Sequence, residues 1–186
     1  MVYVGGLSNI VNYQQEENKM VTRVQARQKG VTGYIPVHRP TKYGNPYPVK
    51  KIHPATLNIW ECSKCGRHII FPHDETAYCD LCKNSILIGC GPPSRCMAED
   101  YARESSIEKY IDMVINKKID DGTLIDWLGD ILDADTIACF CPLQKLCHAD
   151  ALLYVIEKIL SNSKITRITL ADVIGWKVMN KSMRAE

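Results

Sequence analysis

The chain has 186 residues, 46% of them apolar, with 23 basic and 21 acidic side chains and nine cysteines. That apolar content can build a real core, and the length fits one domain with an insertion or a small added module, so a disordered chain is not the expectation. No charge-free apolar run is long enough to span a bilayer, and the opening Met1-Val-Tyr-Val-Gly-Gly-Leu7 lacks the basic start and long apolar stretch of a signal peptide.

A soluble, cytoplasmic protein with no membrane partner is therefore expected, and nine cysteines in that setting point to metal or chemistry before disulfides. The net charge of +2 hides an asymmetry. Lys19 to Lys51 holds eight bases and no acid, whereas Ala98 to Asp135 holds eleven acids and four bases. The basic segment is read as an anion-binding surface or a plain solvated face, and the acidic one as wet helical surface.

In chain order, residues 1–20 form an extension with one short β-like run, Val2-Tyr3-Val4. Val21 to Ala26 alternates apolar and polar at period two and predicts a strand; Val31 to Val37 predicts a second. The loop from His38 to Pro48 contains three prolines and Gly44, which exclude helix and impose a fixed path. Residues 52–96 are a second compositional unit, with further strands expected at 67–71 and 85–88. A helix is expected over about 98–117, on the stripe Ala98, Tyr101, Ala102, Ile107, Tyr110, Ile111, Val114 and Ile115. Thr123 and Asp126 resemble a capping box for the next helix. Asp135 to Cys141 predicts a buried strand, Ala149 to Leu160 a helix, and Thr169 to Asp172 the cap of a C-terminal helix. Strands handing over to helices favour an α/β fold with a mainly parallel sheet.

Two cysteine clusters carry the chemistry. Cys62-Ser-Lys-Cys65-Gly66 is followed, thirteen residues on, by Cys79-Asp-Leu-Cys82. Two CxxC pairs at that separation predict a closed four-thiolate zinc ribbon, a scaffold site without an open position; iron would use the same ligands. His73-Asp-Glu75 ahead of Cys79 imitates the deaminase signature, but three intervening residues leave no room for that fold.

The second cluster is Cys139-Phe140-Cys141, then Cys147-His148-Ala149-Asp150 at a strand-to-helix crossing. Cys139 and Cys141 should face one way along the strand, and a thiol at Cys147 meets the positive end of a helix dipole. Three explanations compete: a second metal site, a ligand pocket with or without a reactive thiolate, and buried inert cysteines.

Gly33-Tyr34-Ile35, Arg39-Pro-Thr-Lys-Tyr-Gly-Asn-Pro-Tyr47, and Ala138-Cys-Phe-Cys141…Cys147-His148-Ala-Asp150 together resemble domain of unknown function family 4326, marked by a YIGRP…GNPF loop and a CWC…CHGD motif. The match covers about residues 21–50 and 98–160. It departs in Pro36-Val37-His38 before Arg39, in Phe140 for the usual tryptophan, and in the ribbon between the halves. The resemblance implies a small Rossmann-like fold and a phage or mobile-element setting, and supplies no activity.

The resulting expectation is a 1–20 extension, an α/β core of 21–51 and 97–186, and an inserted zinc ribbon of 52–96. The pocket should lie at the carboxyl edge of the sheet and handle a nucleotide or nucleoside derivative. Arg39, Lys42, Asn45 and Cys141 would bind the anion, and Cys147, His148 and Asp150 would supply nucleophile or acid and base. If this is an enzyme, a transferase or hydrolase is expected. The rival is a non-enzymatic ribbon protein that docks on nucleic acid or a host protein complex. The GNP loop and the Cys147-His148 segment are expected to converge in space.

Overall fold

The computed structural model describes residues 20–64, 68–72 and 87–183. Three parallel strands form the central sheet: β1 (Thr22–Gln25), β2 (Ile35–Pro36) and β6 (Thr136–Cys139), in the order β1-β6-β2. β6 lies in the middle with Thr22 opposite Thr136 on one side and Ile35 opposite Ile137 on the other. It is buried along most of its length, which is why its sequence runs apolar without alternation. The second strand is shorter than the expected 31–37.

Between β2 and the first helix, β3 (Leu57–Cys62), β4 (His68–Pro72) and β5 (Leu87–Gly91) make a separate antiparallel sheet in the order β4-β3-β5. The register slips between Ile59 and Trp60, which pair with Gly91 and Gly89, so Cys90 is left as the extra residue of a bulge. This sheet occupies the region where the ribbon was expected. Of the four ribbon cysteines, Cys62 is buried at the end of β3; Cys65, Cys79 and Cys82 lie outside the described residues, as does Val2-Tyr3-Val4.

Helix α1 (Arg95–Tyr110) begins at Ser94, whose hydroxyl accepts the Met97 amide, three residues earlier than the stripe suggested. It runs on through a π-helical segment, Ile111–Asn116, into α2 (Lys117–Asp120). There Asn116 is buried and its amide side chain bonds both ways to the Ile168 backbone. Helix α3 (Leu124–Leu128) follows. The Thr123 cap does not form: its side chain makes no capping bond and its hydroxyl oxygen is buried without a partner among the described residues. The C-terminal cap does form. Thr169 and Asp172 exchange bonds of 2.8 and 3.3 Å ahead of α5 (Leu170–Met183).

Helix α4 (His148–Leu160) packs on β1 and β6, and α1 and α5 pack on α4. Val37, Tyr110, Ile115, Leu128, Ile137, Leu152 and Ile156 fill the core. The layout sets the carboxyl ends of all three parallel strands, at residues 25, 36 and 139, along one edge beside the start of α4.

Candidate functional site

The site is built at that edge. β6 ends at Cys139, so Cys141 lies in the loop beyond and the period-two argument does not apply to it. The loop nevertheless turns back. The sulfurs of Cys139, Cys141 and Cys147 all lie within 4.8 Å of one another, with Cys139 and Cys147 buried and Cys141 half-buried. Cys147 Sγ is 3.5 Å from Cys139 Sγ. These three close cysteines could hold a metal ion.

The thiols do not share charge equally. Hydrogen bonds from Cys139 and then Cys147, helped by the nearby Arg103 guanidinium, pull Cys141 far below the ordinary thiol range. Cys147 is pushed up by donating to Cys139 and Cys141 and by burial; Cys139 is pushed up by donating to Cys141. Without a metal, the cluster thus places one thiolate on its most accessible member.

His148 is buried, and burial lowers its pKa, so the ring is neutral. Its Nε2 lies 2.7 Å from the Val37 carbonyl oxygen, which can only accept, so that nitrogen carries the proton. Nδ1 is left with a lone pair 3.5 Å from Cys147 Sγ.

Asp150 sits beneath the cluster as an ionic hub. Its carboxylate accepts the Cys147 amide at 2.8 Å, fixing the first turn of α4. It also meets Arg23 at 3.0 Å and Lys177 at 2.7 Å, and both its own side chain and that of Arg23 are almost fully buried. Arg23 and Lys177 donate in turn to the carbonyls of Leu143 and Lys145. The loop that brings Cys141 back toward Cys147 is therefore tied to β1, α4 and α5. Arg23 belongs to the basic segment, but its charge is spent inside the protein. The sequence singled out neither Arg23 nor Lys177; an arginine at the second position of an alternating strand was the available signal.

The GNP loop is a second rigid piece. A Cβ at Gly44 would fall 2.7 Å from the Arg39 amide nitrogen and 2.8 Å from its Cα, so the chain can double back only over glycine. Asn45 is buried. Its Nδ2 donates to the Ser106 hydroxyl and carbonyl on α1, and its Oδ1 accepts the Tyr47 amide. Tyr43 reaches the Leu128 carbonyl at 2.7 Å.

Arg39 and Lys42 are exposed, with Lys42 over the Tyr43 ring. Loop and cluster meet through an intermediary: Tyr110 donates to the Tyr43 carbonyl, and its ring stands edge-on to His148 at 5.4 Å. Asn45 and His148 thus both meet α1, Asn45 through Ser106 and His148 through Tyr110.

The rim carries a feature the sequence reading passed over. Phe140 is 45% exposed, stacked against His38 at 4.1 Å and capped by the Arg27 guanidinium at 4.9 Å. Each of these three residues follows a different parallel strand.

No helix among the described residues is long and apolar enough to cross a membrane. No curated protein and no solved structure matches the chain. One family model, described as a domain of unknown function (DUF4326), matches residues 21–158, which include both strands flanking β6, the GNP loop and the whole Cys139–Asp150 segment. With that match extending over most of its length, the chain belongs to the DUF4326 family.

Proposed function

We propose that Cys139, Cys141 and Cys147 bind a zinc ion, and that the protein uses this centre to handle an anionic nucleotide derivative at the carboxyl edge of a small Rossmann-like sheet. The approach of three sulfurs from a strand end, a loop and a helix cap carries this reading. Thiolates around one zinc stand about 3.8 Å apart, given zinc–sulfur bonds of about 2.3 Å in a tetrahedron. The 3.5 Å between Cys139 and Cys147 needs little adjustment to match.

Three thiolates leave a fourth position, so a bound zinc would supply Lewis-acid chemistry there. The chain's own residues have separate tasks. Asp150, Arg23 and Lys177 hold the loop and the helix cap together. His148, anchored on Val37, holds a neutral ring with its unprotonated Nδ1 facing Cys147 and so fixes the start of α4 beside the sulfurs. Phe140, flanked by Arg27 and His38, suits a base stacked on an aromatic face next to a cation. Cys62, Cys65, Cys79 and Cys82 are assigned a second, closed zinc.

Metal analysis of purified protein tests this. The expected content is about two zinc ions per chain, falling to about one in Cys139→Ser and in Cys147→Ser. His148→Gln should keep both. A content unchanged by the two cysteine substitutions would remove the edge site.

A further inference from the structure

A cleft of about 750 Å³ opens between the segment 49–54 and the first turns of α1. Its size is that of a ligand pocket. Its charge is one-sided. Lys50, Lys51, Arg95 and Arg103 line it with His53, against the single carboxylate of Glu99, which is paired with Arg95 at 3.1 Å. Ala102 on the α1 side keeps the floor low.

Arg103 joins this cleft to the cysteine cluster. One of its terminal nitrogens points at Cys141 Sγ, 3.9 Å away. Its Nε is buried with no partner among the described residues. A buried guanidinium N–H without an acceptor is costly, and it lies on a side chain that lines a cleft whose charged groups are mostly basic and whose walls are otherwise apolar. Neither the GNP loop nor the Phe140 rim contributes to this lining.

We infer that the cleft between residues 49–54 and α1 binds the di- or triphosphate of a ligand, and that Arg103 is the positioning residue that links this anion to the thiol cluster. The fork of the guanidinium suits the task, because it can direct one N–H to a phosphate oxygen while another faces Cys141. Lys50 and Lys51 add two mobile charges at the mouth. A half-open cleft of bounded size, with basic side chains from two segments converging on it, favours a compact anion over a nucleic-acid strand, which would track a continuous stripe. The inference deepens the nucleotide reading above, but phosphate binding itself does not require the zinc.

Titration calorimetry of the full chain with inorganic pyrophosphate tests it. Binding should be saturable and weaken as salt rises. Arg103→Ala should weaken it about tenfold or more, the range of a charged hydrogen bond removed. Lys50→Gln combined with Lys51→Gln, both exposed and safe for folding, should weaken it severalfold. Arg103→Lys should restore part of the affinity with the fold checked by circular dichroism.

In cobalt-substituted protein, pyrophosphate should shift the thiolate-to-cobalt absorption in the wild type and not in Arg103→Ala. No saturable binding, or equal affinities in wild type and both alanine- and glutamine-substituted proteins, overturns the inference. So does a single-stranded oligonucleotide that binds through Lys50 and Lys51 and is not displaced by pyrophosphate. If pyrophosphate binds as expected but the cobalt–thiolate absorption is the same in wild type, Cys139→Ser and Cys147→Ser, the anion site stands and the edge metal centre falls.

Discussion

The two sheets of this protein solve the problem of stability differently. The parallel sheet is buried under α4 and sits in a core of fully enclosed side chains, with an ionic hub beneath its cysteines. The antiparallel sheet has little of this. Among its described residues only Leu57 and Cys62 are buried, while Ile88 is 58% exposed and Cys90 faces solvent. A sheet that buries so little apolar surface needs another source of order, and a four-thiolate metal is the usual one in so small a unit. The cysteines of the parallel sheet are held where they are by packing; the proposed ribbon would instead make a metal part of the fold of the antiparallel sheet.

The sharpest way to break this contrast is metal removal. A strong chelator, or Cys62→Ser, should release fast hydrogen exchange across 57–62, 68–72 and 87–91 while 136–139 and 148–160 remain protected. Equal loss of protection in both sheets would show one cooperative unit instead of two.

The next largest effect belongs to the hub. Asp150→Ala leaves Arg23 buried and uncompensated and should cost about 3–5 kcal/mol in denaturant unfolding of the core. Losing Lys177, which is partly exposed, should cost clearly less. Equal effects would mean that the solvent-facing pair matters as much as the buried one.

Gly44→Ala should cost about 1–3 kcal/mol, because its Cβ meets backbone that cannot swing aside. Asn45→Ala, which strips three hydrogen bonds but leaves the loop's path open, should cost about 1–3 kcal/mol and lie at the lower end of that range. Thr123→Val removes a hydroxyl with no partner and should be neutral or slightly stabilising in thermal melts.

Much of this architecture is legible in the residues themselves. Apolar stripes fix the long helices and the Cys139–Asp150 segment announces a strand-to-helix crossing; β1 forms where a strand is expected, although the residue it buries is Arg23 and not Val24. The CxC spacing correctly flags cysteines that come together, although by a loop that turns back and not by strand geometry. What escapes is tertiary.

Nothing in the sequence pairs Arg23 with Asp150, 127 positions away. Nothing in a GNP tripeptide distinguishes an amide that reads a ligand from one that fastens a loop to Ser106. Thr123 has the right neighbours for a cap and still fails, because its backbone lies at φ −105°, ψ 10° and not in the extended region that capping needs. The Phe140 rim is invisible for the same reason: its three members are local to three separate strands.

Lys177 and Trp176 draw a boundary that the family match does not. The matched segment ends at residue 158, yet α5 beyond it inserts Val173 and Trp176 into the core, bonds Trp176 Nε1 to Glu157 at 2.8 Å, and sends Lys177 to Asp150. A chain stopped at 158 would expose the face of α4 that α5 covers and would leave the loop 142–145 with one of its two cationic ties. The core of this chain is therefore closed only by residues that lie beyond position 158.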